Sequence, residues 1–365
     1  MTSTTSAASG TIAIMRPPVA PRTSALSVLF GDFASAAITV VTGGLLLLAG
    51  PKIAQWAIVD AVFTRADPRA CQTGGACWAF IADKLRFILF GVYPPDQQWR
   101  PLVVIGLILA GVLVTVSPAL WGRRLVFGWG LLIVAMLALM WGGFLGLAFV
   151  PTNSWGGLPV TLLLAVVSLG LGFPLAVLLA LGRRSDKPVM RMLSIFAIEI
   201  VRGLPLVGLL FVAAILLPLL LPSDWTIDKL GRTVAALTVF SAAYLAEVVR
   251  GGLQGVPMGQ EEAARALGIP YWKTIWHIVL PQAIQKVIPP LTNTAIVMVK
   301  NTSLVMIVGV FDMLNAGRSA ASDPAWPAPY AETYLFVAAM YFLICYGISR
   351  YSLWLERRVH ERDDR

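Results

Sequence analysis

The sequence predicts an all-α integral membrane protein with about eight membrane-spanning helices, and three observations predict it. First, 58% of the 365 residues are hydrophobic and only 13% are charged, with a mean hydropathy of +0.78. Soluble domains carry about 25% charged residues. Too few polar groups remain to coat a water-soluble surface, so a soluble enzyme, a disordered chain and a nucleic-acid binder all fit poorly. Second, the apolar residues gather into runs long enough to cross a hydrocarbon layer about 30 Å thick at about 1.5 Å per residue. Third, the net charge of +9 is unevenly placed. With the N-terminus taken as cytoplasmic, 17 Lys and Arg fall on the inner side and 9 on the outer, leaving Arg202 and Lys300 within spans. That asymmetry puts both termini inside, as an even number of spans requires.

The tail 1–33 opens with a Ser-, Thr-, Ala- and Pro-rich stretch. It lacks a short apolar segment followed by a small-residue cleavage site, and reads as a disordered cytoplasmic tail. The apolar runs lie near 34–58, 101–120, 125–149, 158–181, 192–220, 232–249, 287–310 and 333–354. The first and fifth are long enough to tilt or to continue outside the lipid. The first three, within 34–157, have no charge at their centres and read as accessory scaffold. Between the first two lies a long periplasmic loop, 59–100. Its CQTGGAC segment sets Cys71 and Cys77 on either side of two glycines. They read either as a disulfide, which an oxidising periplasm permits, or as two unpaired thiols; with no nearby His they make a poor zinc site, and no metal site is expected elsewhere. Residues 78–94 of the same loop are apolar but interrupted by Asp83, Lys84 and Arg86. This predicts an amphipathic helix, lying at the outer interface or packed on the spans. Cys345 falls within the last span and reads as packing. The terminal residues 355–365 form a second cytoplasmic tail.

The unusual residues belong to 158–354. A charge inside a span costs a few kcal/mol or more, so it should face a cavity or a partner. Glu199 and Arg202 lie three apart on one face, and Glu247 and Arg250 repeat that spacing. Both pairs read as gating or structural, with a substrate-facing role as the alternative. The run 287–310 holds Asn293, Thr294, Lys300, Asn301, Thr302 and Ser303. Asn293 is seven residues before Lys300, hence on about the same face.

The cytoplasmic loop 250–286 predicts a helix–glycine–helix elbow. Gly251, Gly252 and Gly255 let the chain turn from the membrane. Gln260 to Leu267 has helix formers and an acidic first turn. Gly268 suits a C-cap and Pro270 a new helix start. Trp272, Ile275, Trp276 and Val279 give the second helix one apolar face, and Pro281 marks its end.

Within this elbow Glu262-Ala263-Ala264 is followed by Gly268, and then by Ile278, Leu280 and Pro281. The spacing is that of EAA, three residues, G, nine residues, I, one residue, LP. The chain thereby resembles the permease subunits of ABC importers. The segments IEIVRGLPL from Ile198, YLAEVVRGGLQGVPMGQ from Tyr244 and KNTSLV from Lys300 resemble the polar amino-acid branch. That branch typically has five spans, matching 158–354. The three extra spans and the long outer loop resemble the larger permeases of bacterial general L-amino-acid transporters.

The resemblance implies a type I permease core and an inner-membrane, multi-pass location. It implies ATPase coupling through Glu262, Ala263, Ala264, Gly268, Ile278, Leu280 and Pro281. It further implies a cytoplasmic ATPase dimer, a second homologous permease (by resemblance a heterodimer), a periplasmic amino-acid-binding protein and surrounding lipid. No phosphate-binding G-x-x-x-x-G-K-[ST] sequence occurs, so the chain itself binds no cofactor, and ATP and Mg belong to the partner ATPase. The chain is expected to transport rather than to catalyse. The 293–303 stripe would line the substrate path, Lys300 meeting the carboxylate of an amino acid; the alternative is a structural counter-ion to Glu199 or Glu247. Two rival readings have weaker support. An ion-coupled carrier would leave the elbow unexplained. A membrane hydrolase would need a nucleophile and base, and neither histidine lies in a span.

Overall fold

The computed structural model describes residues 24–64, 68–72, 74–115, 122–222 and 227–363. The N-terminal tail through residue 23 and the end of the second predicted span lie outside the described residues. The chain divides into two units, Met1–Ala61 and Val62–Arg365. The first unit holds α1 (Ala25–Phe30) and α2 (Phe33–Ala54), continued by a π turn (Gln55–Val59). The tail predicted for 1–33 is therefore helical over Ala25–Phe30, because ALSVLF is apolar and Asp32 can cap the next helix. The Asp32 side chain accepts the Ser35 backbone N–H at 2.9 Å.

In the second unit, α3 (Trp78–Phe90) precedes α4 (Trp99–Thr115) and α5 (Arg123–Trp141). The third predicted span ends at Trp141, not 149, because Gly142, Gly143, Leu145 and Gly146 all take positive φ and turn the chain. Next come α6 (Gly157–Arg183) and α7 (Pro188–Gly203), then α8 (Leu206–Phe211), a π turn (Val212–Leu216) and α9 (Leu217–Leu220). The fifth predicted span is thus broken, bent by 104° between Gly203 and Leu206. Pro205 supplies no N–H to continue α7, and it pushes Leu204 into an extended conformation with ψ 137°. Seven described helices are long and apolar enough to cross a membrane, or eight with the bent pair taken as one span.

The core is built on α6 and α10 (Lys229–Gln254). Gly172, Ala176 and Ala180 place small residues four apart on α6; Gly172 abuts Ser241 and Ala242 of α10, and Ala176 is buried with Ala246. Small side chains let two backbones approach where lipid offers no hydrophobic drive for association. Ser241 Oγ donates to the Ser168 carbonyl across this seam at 2.9 Å. The α10 helix runs through Gly251 and Gly252 to Gln254, so the expected turn there does not occur. Gly252 instead permits close packing, since a Cβ there would sit 2.5 Å from the Ala283 carbonyl oxygen.

The elbow follows as α11 (Gly259–Ala266), α12 (Tyr271–Thr274), a π turn (Ile275–Val279) and α13 (Leu280–Lys286). The chain then forms α14 (Ile288–Asn301), a 3₁₀ segment (Thr302–Val308), α15 (Met313–Ala321) and α16 (Tyr330–Asp363). The last helix passes through 355–363, part of the predicted tail. Phe80, Ile81 and Ile88 of α3 are buried in a cluster with Met313, Ala320 and Val337. Of the two readings of 78–94, the structure has the helix packed on the core. The Cys71 and Cys77 sulfurs are bonded, with Cα atoms 5.4 Å apart. The Cys77 N–H donates to Glu332 of α16 at 2.8 Å, fastening the 59–100 segment to the last helix.

Candidate functional site

The elbow has a locally determined shape. At the end of α11 the Gly268 N–H donates to the Arg265 carbonyl and the Ile269 N–H to the Ala264 carbonyl, both at 2.9 Å. This 5→2 and 6→1 pair needs a left-handed residue at Gly268, whose φ is +68°. The second arm does not stop at Pro281. The π turn before it shifts the ladder to i→i+5, and the helix resumes beyond the missing N–H as α13. That shift also splits the expected apolar face. Ile275, Val279, Leu280 and Ala283 are buried against Val177, Ala180 and Leu181 of α6 and Val249 and Leu253 of α10. Trp272 is 61% exposed, and Trp276, Tyr271, Leu267 and Met258 are exposed with it. Among the seven motif positions, Glu262, Ala263, Gly268 and Pro281 are exposed, Ile278 is half-buried, and Ala264 and Leu280 are buried. The elbow therefore has one set of residues seated on the core and another, including Glu262 and several large apolar side chains, left open.

The two predicted acid–base pairs form one ionic cluster, completed by a residue that sequence spacing could not reveal. Arg183, at the end of α6, donates to Glu199 at 2.9 Å and to Glu247 at 2.5 Å. Arg250 Nη2 and Nε donate to Glu247 Oε2 at 2.8 and 3.0 Å. Arg202 lies 3.9 Å from both carboxylates, with its guanidinium 5.8 Å from the Tyr244 ring centre. Five side chains thus join α6, α7 and α10. The adjacent Arg184 pairs with Glu261 of the elbow at 2.7 Å. Glu261 is thereby tied to the bundle, while among the described residues its neighbour Glu262 makes no ion pair within 4 Å.

The 293–303 stripe divides. Asn293 and Lys300 are exposed and Asn301 is half-buried. Thr294 Oγ1 donates to Pro290 O at 2.8 Å and Ser303 Oγ to Lys300 O at 2.7 Å, so both hydroxyls fold back on their own turns. Thr302 is fully buried; its hydroxyl donates to Val299 O at 2.7 Å and lies 3.4 Å from the Tyr341 hydroxyl. It stands apart from the exposed stripe because the helix tightens to 3₁₀ at this residue, changing which positions share a face. Among the described residues no carboxylate lies within 4 Å of Lys300, and Glu199 and Glu247 are engaged by arginines.

Asp312 was not singled out from sequence. It is fully buried before α15, where it accepts the Leu314 and Asn315 N–H groups at 3.1 and 3.0 Å. The Tyr341 hydroxyl donates to it at 3.3 Å. Burial, opposed by these hydrogen bonds, lifts its carboxyl to about 6. Lys84 of α3 meets Asp323, just past the end of α15, at 2.7 Å, raising the lysine above its ordinary value and holding the aspartate below its own. Among the described residues no His, Cys, Asp and Glu cluster could hold a metal.

Comparison with known proteins places this geometry. Residues 172–361 match the family model of binding-protein-dependent transport system inner membrane components. The Escherichia coli K12 protein YhdY, an inner membrane amino-acid ABC transporter permease, is 41% identical over 338 residues, 91% of each chain. BztC of Rhodobacter capsulatus, a permease of a glutamate/glutamine/aspartate/asparagine transport system, is 36% identical over 80% of this chain and 81% of its own. The probable glutamine ABC transporter permease GlnP of Bacillus subtilis is shorter; its match, at 31% identity, covers 92% of it but 56% of this chain. The chain therefore belongs to the family of binding-protein-dependent transport system inner membrane components.

Proposed function

We propose that this chain moves L-amino acids along a path beside α14 and is driven through its elbow by a separate ATPase. It is a multi-pass inner-membrane permease subunit of a type I amino-acid ABC importer, working with an ATPase and a substrate-binding protein. Hydrolysis belongs to the ATPase, so this chain is a transport subunit and not an enzyme. The carrying observation is the elbow: an intact motif, seated through Ile275, Val279 and Leu280 on α6 and α10, with Glu262 and Trp272 left open. A groove on the ATPase can grip that open face, and the packed face passes its movement to the two central core helices. ATP and Mg sit on the ATPase in this reading. Both termini are cytoplasmic, and a second, homologous permease in a heterodimer supplies the other wall of the path. Lys300 offers an ammonium to the carboxylate common to all amino acids, flanked by the amides of Asn293 and Asn301.

The test is ATP-driven uptake by the complete importer in proteoliposomes, with Lys300→Met beside wild type. A lost charge-assisted hydrogen bond corresponds to about a tenfold or larger fall in affinity. Uptake of every amino acid carried should fall, with assembly and basal ATPase activity kept. Unchanged uptake by a well-assembled Lys300→Met importer refutes the path assignment, and uptake independent of ATP refutes the importer reading.

A further inference from the structure

Two adjoining cavities lie between α5, α6 and the start of α10, away from the elbow and lined by none of residues 293–303. One is an apolar shaft of about 260 Å³, walled by Leu137, Val167, Leu171 and Val234 among others. The other, of about 210 Å³, is a vestibule of mixed lining, more polar than the shaft, that includes Asn153, Lys229 and Gly309. They share Thr152, Trp155, Val160, Asp228 and Leu230, so they form one groove with a partly polar mouth and an apolar body. From Val160 to Leu171 the shaft follows α6 for about 16 Å at 1.5 Å per residue, roughly half a hydrocarbon layer. Its deep end reaches Leu171, which is 52% exposed on the helix flank.

We propose that this groove holds one acyl chain of an anionic phospholipid, with the headgroup phosphate at Lys229. The shaft offers nothing to the ammonium and carboxylate of a free amino acid. It does suit a hydrocarbon chain from the surrounding bilayer. Lys229 Nζ donates to the Gly309 carbonyl at 3.3 Å, and among the described residues no carboxylate lies within 4 Å of it. Asp228 is occupied as the cap of α10, accepting the Gly231 N–H at 3.0 Å. Among the described residues the mouth therefore presents a cation without an ion-pair partner. Trp155, common to both cavities, is buried at their junction, and Trp141, which lines the shaft, lies with its ring centre 5.7 Å from it; amphipathic rings of this kind settle near headgroup level. The mouth is at the N-terminal end of α10 and the elbow follows its C-terminal end. The lipid accordingly belongs to the leaflet opposite the elbow, wedged between the accessory span α5 and the core.

The experiment uses the complete importer passed through nanodiscs of phosphatidylethanolamine and phosphatidylglycerol, with retained lipid read by native mass spectrometry. Wild type should keep phosphatidylglycerol in preference to phosphatidylethanolamine. Lys229→Glu, an exposed change that leaves the fold intact, should retain at least about fivefold less phosphatidylglycerol. Val234→Trp fills the shaft and should displace lipid of both kinds. Equal retention of the two lipids by wild type, or unchanged phosphatidylglycerol in Lys229→Glu, overturns the proposal. Unchanged lipid in a folded Val234→Trp importer overturns it as well.

Discussion

Replacing Glu247 by Gln keeps the side-chain shape and removes the charge around which α6, α7 and α10 converge. Glu247 accepts Arg183 at 2.5 Å and both Arg250 nitrogens at 2.8 and 3.0 Å, with Arg202 3.9 Å away. Its side chain is only 17% exposed. Each charge-assisted hydrogen bond contributes about 1.5–3 kcal/mol, and stripping one partner from a fully buried pair costs about 3–5 kcal/mol. Arg183, Arg250 and Arg202 are roughly a quarter to a third open to water, which moves the expectation down. Gln also keeps one acceptor oxygen. Glu247→Gln should therefore destabilise the subunit by roughly 2–3 kcal/mol. Helicity followed by circular dichroism during SDS titration of the purified importer measures this loss. Glu199 is half-exposed, and its Gln variant should cost no more than about 1 kcal/mol. Glu262 is exposed and has no ion pair among the described residues, and Glu262→Gln should stay within about 0.5 kcal/mol of wild type while weakening coupling. A double-mutant cycle between Glu247→Gln and Arg250→Gln should return a coupling of about 1 kcal/mol or more. If Glu247→Gln costs no more than Glu262→Gln, the cluster does not hold these helices together and the reasoning fails.

Gly268→Val places a β-branched side chain at φ +68°, with no atom within 4 Å of the new Cβ, so the penalty is purely that of the backbone, about 1–2 kcal/mol. The variant should insert, and the importer carrying it should hydrolyse ATP on its ATPase without driving uptake, whereas Gly268→Asn, which tolerates that conformation, should stay coupled; normal uptake by the Val variant would sink the elbow assignment. Asp312 carries the clearest pH signature: its folded carboxyl titrates near 6 against an ordinary 3.8, so its ionisation penalises the fold above pH 6. The penalty lifts as pH falls, and stability should rise by about 1 kcal/mol between pH 7.5 and 5, a slope that Asp312→Asn removes while keeping a good helix cap. An Asn variant with the wild-type slope would contradict this. A membrane-impermeant maleimide should label Cys71 and Cys77 from the outer side only after reduction. Labelling of both before reduction denies the bond, and labelling only from the cytoplasmic side reverses the orientation.

What one stretch of chain determines for itself was legible in the sequence. Long apolar runs place the spans because a helix satisfies its own backbone in lipid whatever surrounds it. The elbow motif is likewise local: an acidic first turn, a glycine able to take positive φ and an apolar second arm lie within 20 residues of Glu262. The break after α7 was written in Gly203-Leu204-Pro205, but a hydropathy window averages over a proline and reads one long span. The π turn before Pro281 escaped for the opposite reason. Sequence periodicity assumes one residue count per turn, and that count changes where the ladder must step over a missing N–H. The remainder was decided in three dimensions. Arg183 counted as one more inner-side charge until folding carried it to Glu247, 64 residues along the chain. Asp312 and Tyr341 meet across 29 residues, Cys77 and Glu332 across 255. Such pairs leave no periodic trace, because the packing of whole helices sets them, and only that packing determines which polar groups lose water and must find one another.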